Sequence, residues 1–135
     1  MPARSASAIL HAVLTCVIVD DSPSVLSDAK ALLQRQGLDV VGVASSQAEA
    51  LDVIARTHPD VALVDVDLGP ESGFEVVRAI KTDPATAGTD CILISTHSEA
   101  DFPEMIEASP ALGFIGKVRL SAAAISRLVS DARDT

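Results

Sequence analysis

The stretch VALVDVD, residues 61–67, is a run of four apolar residues followed by aspartates at positions 65 and 67. A short apolar run without polar alternation is typical of a strand that is buried on both faces of a parallel sheet. Similar runs lie at residues 15–19, 39–43 and 91–94, and a weaker one lies at 113–115. We therefore predict five strands.

Helical patterns fill the intervals between these strands. Apolar residues recur at helical spacing in four segments, which are residues 22–37, 47–56, 73–81 and 121–132. Residues 102–108 are predicted to form a further helix that is short and poorly patterned. Ser22 before Pro23 predicts the cap of the first helix and Gly37 its end. The regular alternation predicts an α/β fold, a doubly wound five-stranded parallel sheet with helices on both faces. We place its strands in the order 2-1-3-4-5, the flavodoxin-like (βα)5 arrangement.

Composition narrows the class of protein. A chain of 135 residues has room for one hydrophobic core, which we assign to residues 15–133, with residues 1–14 as a flexible N-terminal tail. A net charge of −9 argues against direct binding to nucleic acid or to an anionic membrane surface. No apolar run approaches the length of about 18 residues that spans a bilayer, and we expect a cytoplasmic protein. The two cysteines, Cys16 and Cys91, lie in apolar runs and are predicted to be buried.

Polar side chains follow four of the five predicted strands. They are Asp20 and Asp21 after the first strand, Asp65 and Asp67 after the third, Ser95 after the fourth and Lys117 after the fifth. The carboxyl ends of parallel strands meet at one edge of the sheet, where ligands of open α/β folds bind. In the predicted order the first and third strands are neighbours, so Asp20, Asp21 and Asp65 should crowd together. Crowded carboxylates favour a bound cation, and an all-oxygen ligand set suits Mg²⁺, with Mn²⁺ as a substitute.

This set of residues suits phosphoryl transfer to a carboxylate. An aspartate can act as the nucleophile and form an aspartyl phosphate. A divalent cation and the flexible Lys117 ammonium can neutralise the phosphoryl oxygens, and the Ser95 hydroxyl can donate to one of them.

With these residues in this order, the chain resembles the receiver domains of bacterial response regulators, the phosphoproteins of two-component phosphorelay signal transduction. The resemblance covers residues 15–132 and rests on VIVDD at 17–21, on ALVD at 62–65 with Gly73 and Phe74 after it, on ILIS at 92–95 and on GFIGK at 113–117. Gly73 follows Asp65 by eight residues, the spacing usual in the family.

The resemblance implies a role for each residue at this edge. Asp65 is the phosphoacceptor, Asp21 binds Mg²⁺ directly, Asp20 binds it mostly through water, and the backbone carbonyl of Asp67 is a further ligand. Lys117 and the Ser95 hydroxyl both hold phosphoryl oxygens.

The resemblance also implies a switch. Ser95 moves toward the phosphate and Phe114 turns into the space vacated, which reshapes the surface of the fourth helix, fifth strand and fifth helix for partner binding. Asp67 and His97 flank the path of the hydrolytic water and are expected to modulate dephosphorylation. The phosphoryl donor is a histidine kinase or a histidine phosphotransfer protein, and the receiver binds a downstream protein or forms a homodimer.

We expect a stand-alone receiver, similar to the chemotaxis regulators, that is a self-phosphorylating signalling domain and not a turnover enzyme. Four features depart from the family pattern. They are Gly69 followed by Pro70 where proline usually comes one residue earlier, Val118 where a cis-proline is common, the bulky Thr96 after the switch hydroxyl, and a short fourth helix between Pro103 and Pro110.

Two other readings are weighed against the receiver. One is a degenerate receiver, an interaction module that works without phosphorylation, for which Gly69 and Val118 are the main support. The other is a haloacid dehalogenase-like phosphatase, because Asp65 and Asp67 form an Asp-x-Asp pair. There the pair follows the first strand, however, and turnover of a generic phosphomonoester would distinguish that class.

Overall fold

A computed structural model describes residues 13–134, so most of the predicted tail lies outside the described residues. The strands are β1 (Thr15–Val19), β2 (Asp39–Ala44), β3 (Val61–Asp65), β4 (Asp67–Leu68), β5 (Glu71–Ser72), β6 (Asp90–Ser95) and β7 (Gly113–Gly116). The five longer strands form one parallel sheet in the order β2-β1-β3-β6-β7, which confirms the predicted order. The antiparallel hairpin of β4 and β5 was not predicted.

The helices are α1 (Pro23–Arg35), α2 (Gln47–Thr57), α3 (Gly73–Thr82), α4 (Pro103–Ala108) and α5 (Ala122–Arg133). Four of them begin at a serine whose hydroxyl accepts a hydrogen bond from a backbone N–H of the first turn, namely Ser22, Ser46, Ser72 and Ser121. The fourth helix is short, as predicted, and follows a 3-10 turn at Glu99–Asp101. None of the helices in the described part of the chain is long and apolar enough to cross a membrane.

The sheet separates two layers of core. Alternate residues of β1 point to opposite faces, with Val17 and Val19 toward α2 and α3, and Cys16 and Ile18 toward α1 and α5. Every residue of β3 is buried, as expected for a central parallel strand with no polar alternation. Burial also raises the pKa of the Cys16 thiol, and likewise that of the Cys91 thiol, to about 12, so both behave as small protonated hydrophobes.

Candidate functional site

Three aspartates meet where β1 and β3 end. The two strands are paired, with Val19 opposite Val64, so the residues that follow them lie side by side. Carboxylate oxygens of Asp20, Asp21 and Asp65 all lie within 4.8 Å of one another. Asp20 and Asp65 are 1% and 6% exposed, whereas Asp21 is open to solvent. The predicted crowding of these three acids is therefore present.

Lys117 reaches this cluster from beyond β7, across the width of β6. Its Nζ donates a hydrogen bond of 3.0 Å to Asp65 Oδ2 and lies 2.7 Å from Asp20 Oδ2. Burial lowers the pKa of Lys117, but its contacts with Asp20 and Asp65 outweigh that effect and raise the pKa above its ordinary value. The lysine is thus a firmly protonated ammonium held between two buried carboxylates.

Burial raises the pKa of Asp65 above its ordinary value. The Lys117 ammonium and the backbone N–H of Asp67, which donates to Asp65 Oδ1 over 3.2 Å, act in the opposite direction without cancelling the burial. Asp20 adds to the rise through charge repulsion. A further cation beside Asp65 would therefore stabilise its carboxylate.

The donor atoms of the cluster fit a hard divalent cation. Three acids cluster here and two of them, Asp20 and Asp65, pair with a single ammonium, so the acids outnumber the cation. Asp20 Oδ1 accepts from the Ser22 backbone N–H, but Asp20 Oδ2 is buried and, within residues 13–134, makes the ion pair with Lys117 without an accompanying hydrogen bond. Only oxygen atoms are offered, and one side of the cluster is open to water, the environment that Mg²⁺ prefers.

A pocket of about 250 Å³ gathers most of the predicted site residues. Its lining includes Asp20, Asp21, Asp65, Asp67, Ser95, His97 and Lys117, together with Thr96 and Gly69. Phe114 lies outside this pocket. It lines an adjoining cleft of about 580 Å³ that shares Ser95, His97 and Lys117 with the pocket.

Ser95 and His97, at the end of β6, border both the pocket and the adjoining cleft. Ser95 is buried at the strand end, and its Oγ accepts a 2.9 Å hydrogen bond from the His97 backbone N–H. Among the described residues this hydroxyl donates no hydrogen bond, so it can donate to a ligand. The exposed His97 ring lies edge-on to Phe102, with 6.0 Å between ring centroids. Phe114 is half-buried beside Leu93 of β6, so Ser95 and Phe114 border the same cleft from neighbouring strands.

Asp67 lines the pocket but is not one of the three acids whose oxygens cluster within 4.8 Å. Asp67 is exposed, and its Oδ1 accepts a hydrogen bond from the Gly69 backbone N–H within the β4–β5 turn. Gly69 has a φ of +72°, and a Cβ there would lie 3.1 Å from Asp21 Oδ2. The ligand role of the Asp67 backbone carbonyl stays a prediction.

Gly73 has a steric role that the sequence analysis missed. A Cβ at this position would lie 1.9 Å from the backbone oxygen of Asp65 and 2.8 Å from Cα of Val66. Its backbone N–H donates to Val66 O over 2.8 Å. Only glycine lets the first turn of α3 approach the end of β3 so closely. The sequence offered two signals, a glycine that begins a helix shortly after a strand that ends in aspartate and its spacing of eight residues from Asp65.

Two of the departures from the family pattern, Gly69 and Thr96, line the pocket, and Val118 directly follows the pocket residue Lys117. Val118 is 95% exposed and belongs to a 3-10 turn at Lys117–Arg119. Thr96 is exposed at the pocket rim, so its side chain borders the entrance without filling the pocket.

Comparison with known proteins finds one matching family model and several relatives of similar sequence. The family model described as response regulator receiver domain matches residues 16–127. The heme response regulator HssR of Staphylococcus saprophyticus is 38% identical over 69 residues, which cover 51% of this chain and 30% of that protein. Protein PilG of Pseudomonas aeruginosa is 32% identical over 83 residues, which cover 62% of this chain and 61% of that protein. The chain therefore spans less than two thirds of either relative.

Solved structures agree on the fold. The chemotaxis protein CheY4 of Vibrio cholerae superimposes with a TM-score of 0.75 at 24% identity, over 86% of this chain and 98% of that chain. The comparisons give no support to the haloacid dehalogenase-like alternative.

Proposed function

The chain belongs to the response regulator receiver domain family, and from this premise we propose that it is a two-component signalling switch that accepts a phosphoryl group on Asp65. The observation that carries the proposal is the buried Asp65 carboxylate, hydrogen-bonded to the Lys117 ammonium and within 4.8 Å of Asp20 and Asp21 oxygens. A structural salt bridge alone would not need three carboxylates around one ammonium.

The proposed chemistry is an in-line displacement at phosphorus. A carboxylate oxygen of Asp65 attacks the donor phosphoryl group, the bond between phosphorus and the donor atom breaks, and the donor leaves with the electron pair. Asp20, Asp21 and Asp65, with the Asp67 backbone carbonyl, would hold Mg²⁺, which supplies neutralisation of the phosphoryl charge. Lys117 already lies 3.0 Å from Asp65 Oδ2 and can follow that charge as it builds up.

We infer the class of protein that donates the phosphoryl group and the class of partner that recognises the phosphorylated domain. A histidine kinase or a histidine phosphotransfer protein supplies the phosphoryl group, because phosphohistidine is the donor that the family uses. The output passes through a downstream protein or a homodimer that recognises the surface of α4, β7 and α5.

The switch follows from the position of Ser95 between the two cavities. A phosphoryl group on Asp65 adds charged acceptor oxygens to the pocket, and the Ser95 hydroxyl can donate to one of them. A movement of Ser95 toward the phosphoryl group would open space, and the Phe114 ring could turn into it from the adjoining cleft. The phosphate thereby shifts the population of conformations on the surface of α4, β7 and α5.

Amide NMR spectra test the switch. With acetyl phosphate and Mg²⁺, wild-type shifts should extend from the pocket to Phe114 and into α4 and α5. In Ser95→Ala the phosphoryl group should still attach, because Asp65 and Lys117 are intact, but the shifts should stay within the pocket. Equal shifts of α4 and α5 in both proteins would remove Ser95 from the switch.

Asp67 and His97 are proposed to set the phosphate lifetime, because both line the pocket and are open to solvent. Asp67 places negative charge near the phosphoryl group, and His97 can orient water or act in acid–base chemistry. Asp67→Asn and His97→Ala should each change the rate of dephosphorylation more than the rate of phosphorylation. The decay of the phosphorylated mass after removal of the donor measures the first rate. Equal half-lives in all three proteins would refute this role.

A further inference from the structure

Among the long strands of the described residues, β2 alone contributes no residue to the acidic pocket, from the strand or from the loop after it. That loop nevertheless contacts segments on both sides of the pocket. The Asp20 backbone N–H donates to Ala44 O over 3.0 Å, at the end of β2. Three residues later, the Gln47 backbone N–H donates to Glu71 Oε1 over 2.9 Å. Residues 44–47 therefore connect the Asp20 loop to the β4–β5 hairpin.

The hairpin in turn contacts two of the acids. Its first residue, Asp67, donates its backbone N–H to Asp65 Oδ1. Its turn residue, Gly69, passes so close to Asp21 that a Cβ would be 3.1 Å from the carboxylate. The hairpin has only two residue pairs, Asp67 with Ser72 and Leu68 with Glu71. So short a ribbon is marginal alone and needs support from its surroundings.

The start of α2 has hydrogen-bond partners besides Glu71. The Ser46 hydroxyl accepts from the Glu49 backbone N–H, and Glu49 Oε1 accepts from both the backbone N–H and the hydroxyl of Ser45. The first of these contacts is the N-cap of α2, and the other two hold the residue that precedes the cap. Glu71 satisfies a further donor of the first turn, the Gln47 backbone N–H, and this bond is the one that joins α2 to a segment 24 residues away in the chain.

We propose that Glu71 is a positioning residue for the cation site, because its hydrogen bond with Gln47 holds the β4–β5 hairpin against Asp21 and Asp65. The proposal rests on the Mg²⁺ site of the proposed function and deepens it. Glu71 does not line the acidic pocket, so its proposed effect on the cation is indirect. It fixes the backbone that carries Asp67, whose carbonyl is the predicted further ligand. Substitution of a residue that orients the ligands of a metal commonly weakens metal binding by 10- to 100-fold.

Three variants test this role by Mg²⁺ titration, followed through the amide NMR signals of Asp21, Asp67 and Gly69. Glu71→Ala should weaken Mg²⁺ binding roughly tenfold, because the hairpin loses its anchor. Glu71→Gln keeps a carbonyl oxygen for Gln47 and should bind more like wild type than like the alanine variant. Glu49→Ala is the matched control, since it removes an equal charge and two hydrogen bonds with Ser45 at the start of the same helix, and its Mg²⁺ affinity should match wild type.

Urea unfolding without Mg²⁺ separates positioning from stability. Glu71→Ala and Glu49→Ala each lose hydrogen bonds at the start of α2, but only the former should lose Mg²⁺ affinity. Wild-type affinity in Glu71→Ala, or equal weakening in Glu49→Ala, would overturn the role of Glu71 and leave the metal site standing. A wild-type protein whose signals do not respond to Mg²⁺ would overturn the metal site itself, and the role of Glu71 with it.

Discussion

Replacing Lys117 with methionine is expected to slow phosphorylation of Asp65 by a small phosphodonor at least about 100-fold, the usual effect of removing one preorganised donor from a site of developing charge. Methionine keeps the length of the side chain and removes the ammonium that lies 3.0 Å from Asp65 Oδ2 and 2.7 Å from Asp20 Oδ2. Two buried carboxylates would then face each other and the incoming phosphoryl oxygens without their fixed cation. The pKa of Asp65, which burial already raises, should rise further.

Lys30→Met is the matched control, because Lys30 is an exposed lysine of α1 outside the pocket. Both variants are incubated with acetyl phosphate and Mg²⁺, and the growth of the phosphorylated mass is followed after circular dichroism has shown that each is folded. The control should match wild type. A Lys117→Met rate within a few-fold of wild type would mean that the ammonium serves the fold and not the transfer.

The sheet and the meeting of the acids could be predicted because both follow from local patterns. The apolar runs lack polar alternation because β1, β3 and β6 are covered on both faces, and burial on both faces leaves no place for polar side chains. Once β1 and β3 are neighbours, the residues that follow them must lie together, and a long lysine stem can reach them from two strands away.

The hairpin after β3 could not be predicted from the same patterns. Strands of two residues have no periodicity to detect, and the turn depends on a positive φ at Gly69. The bond between Glu71 and Gln47 links residues far apart in the chain, so it exists only once α2 and the hairpin have packed. The spacing of Gly73 was visible, but its reason is a close approach of α3 to the Asp65 carbonyl that only the folded backbone reveals.

The phosphoacceptor should be Asp65 and not another acid of the cluster. Asp65 ends the central strand β3, and Lys117 and the Asp67 backbone N–H each contact one of its carboxylate oxygens. Asp20 is almost fully buried, and Asp21 is exposed at the edge where the cation is expected. Asp65→Asn keeps the size of the side chain and removes the nucleophile, so it should abolish phosphorylation completely. Asp52→Asn, at an exposed acid that pairs with Arg56 on α2, is the control and should behave as wild type.

Intact mass after incubation with acetyl phosphate, with Mg²⁺ or with excess chelator, tests the phosphorylation of Asp65 most directly. We predict a single phosphoryl adduct in wild type and in Asp52→Asn that requires Mg²⁺, and no adduct in Asp65→Asn. An adduct that persists in Asp65→Asn, or a wild-type protein that takes up no phosphoryl group with Mg²⁺ present, would contradict phosphorylation at Asp65 and favour a receiver that works without it.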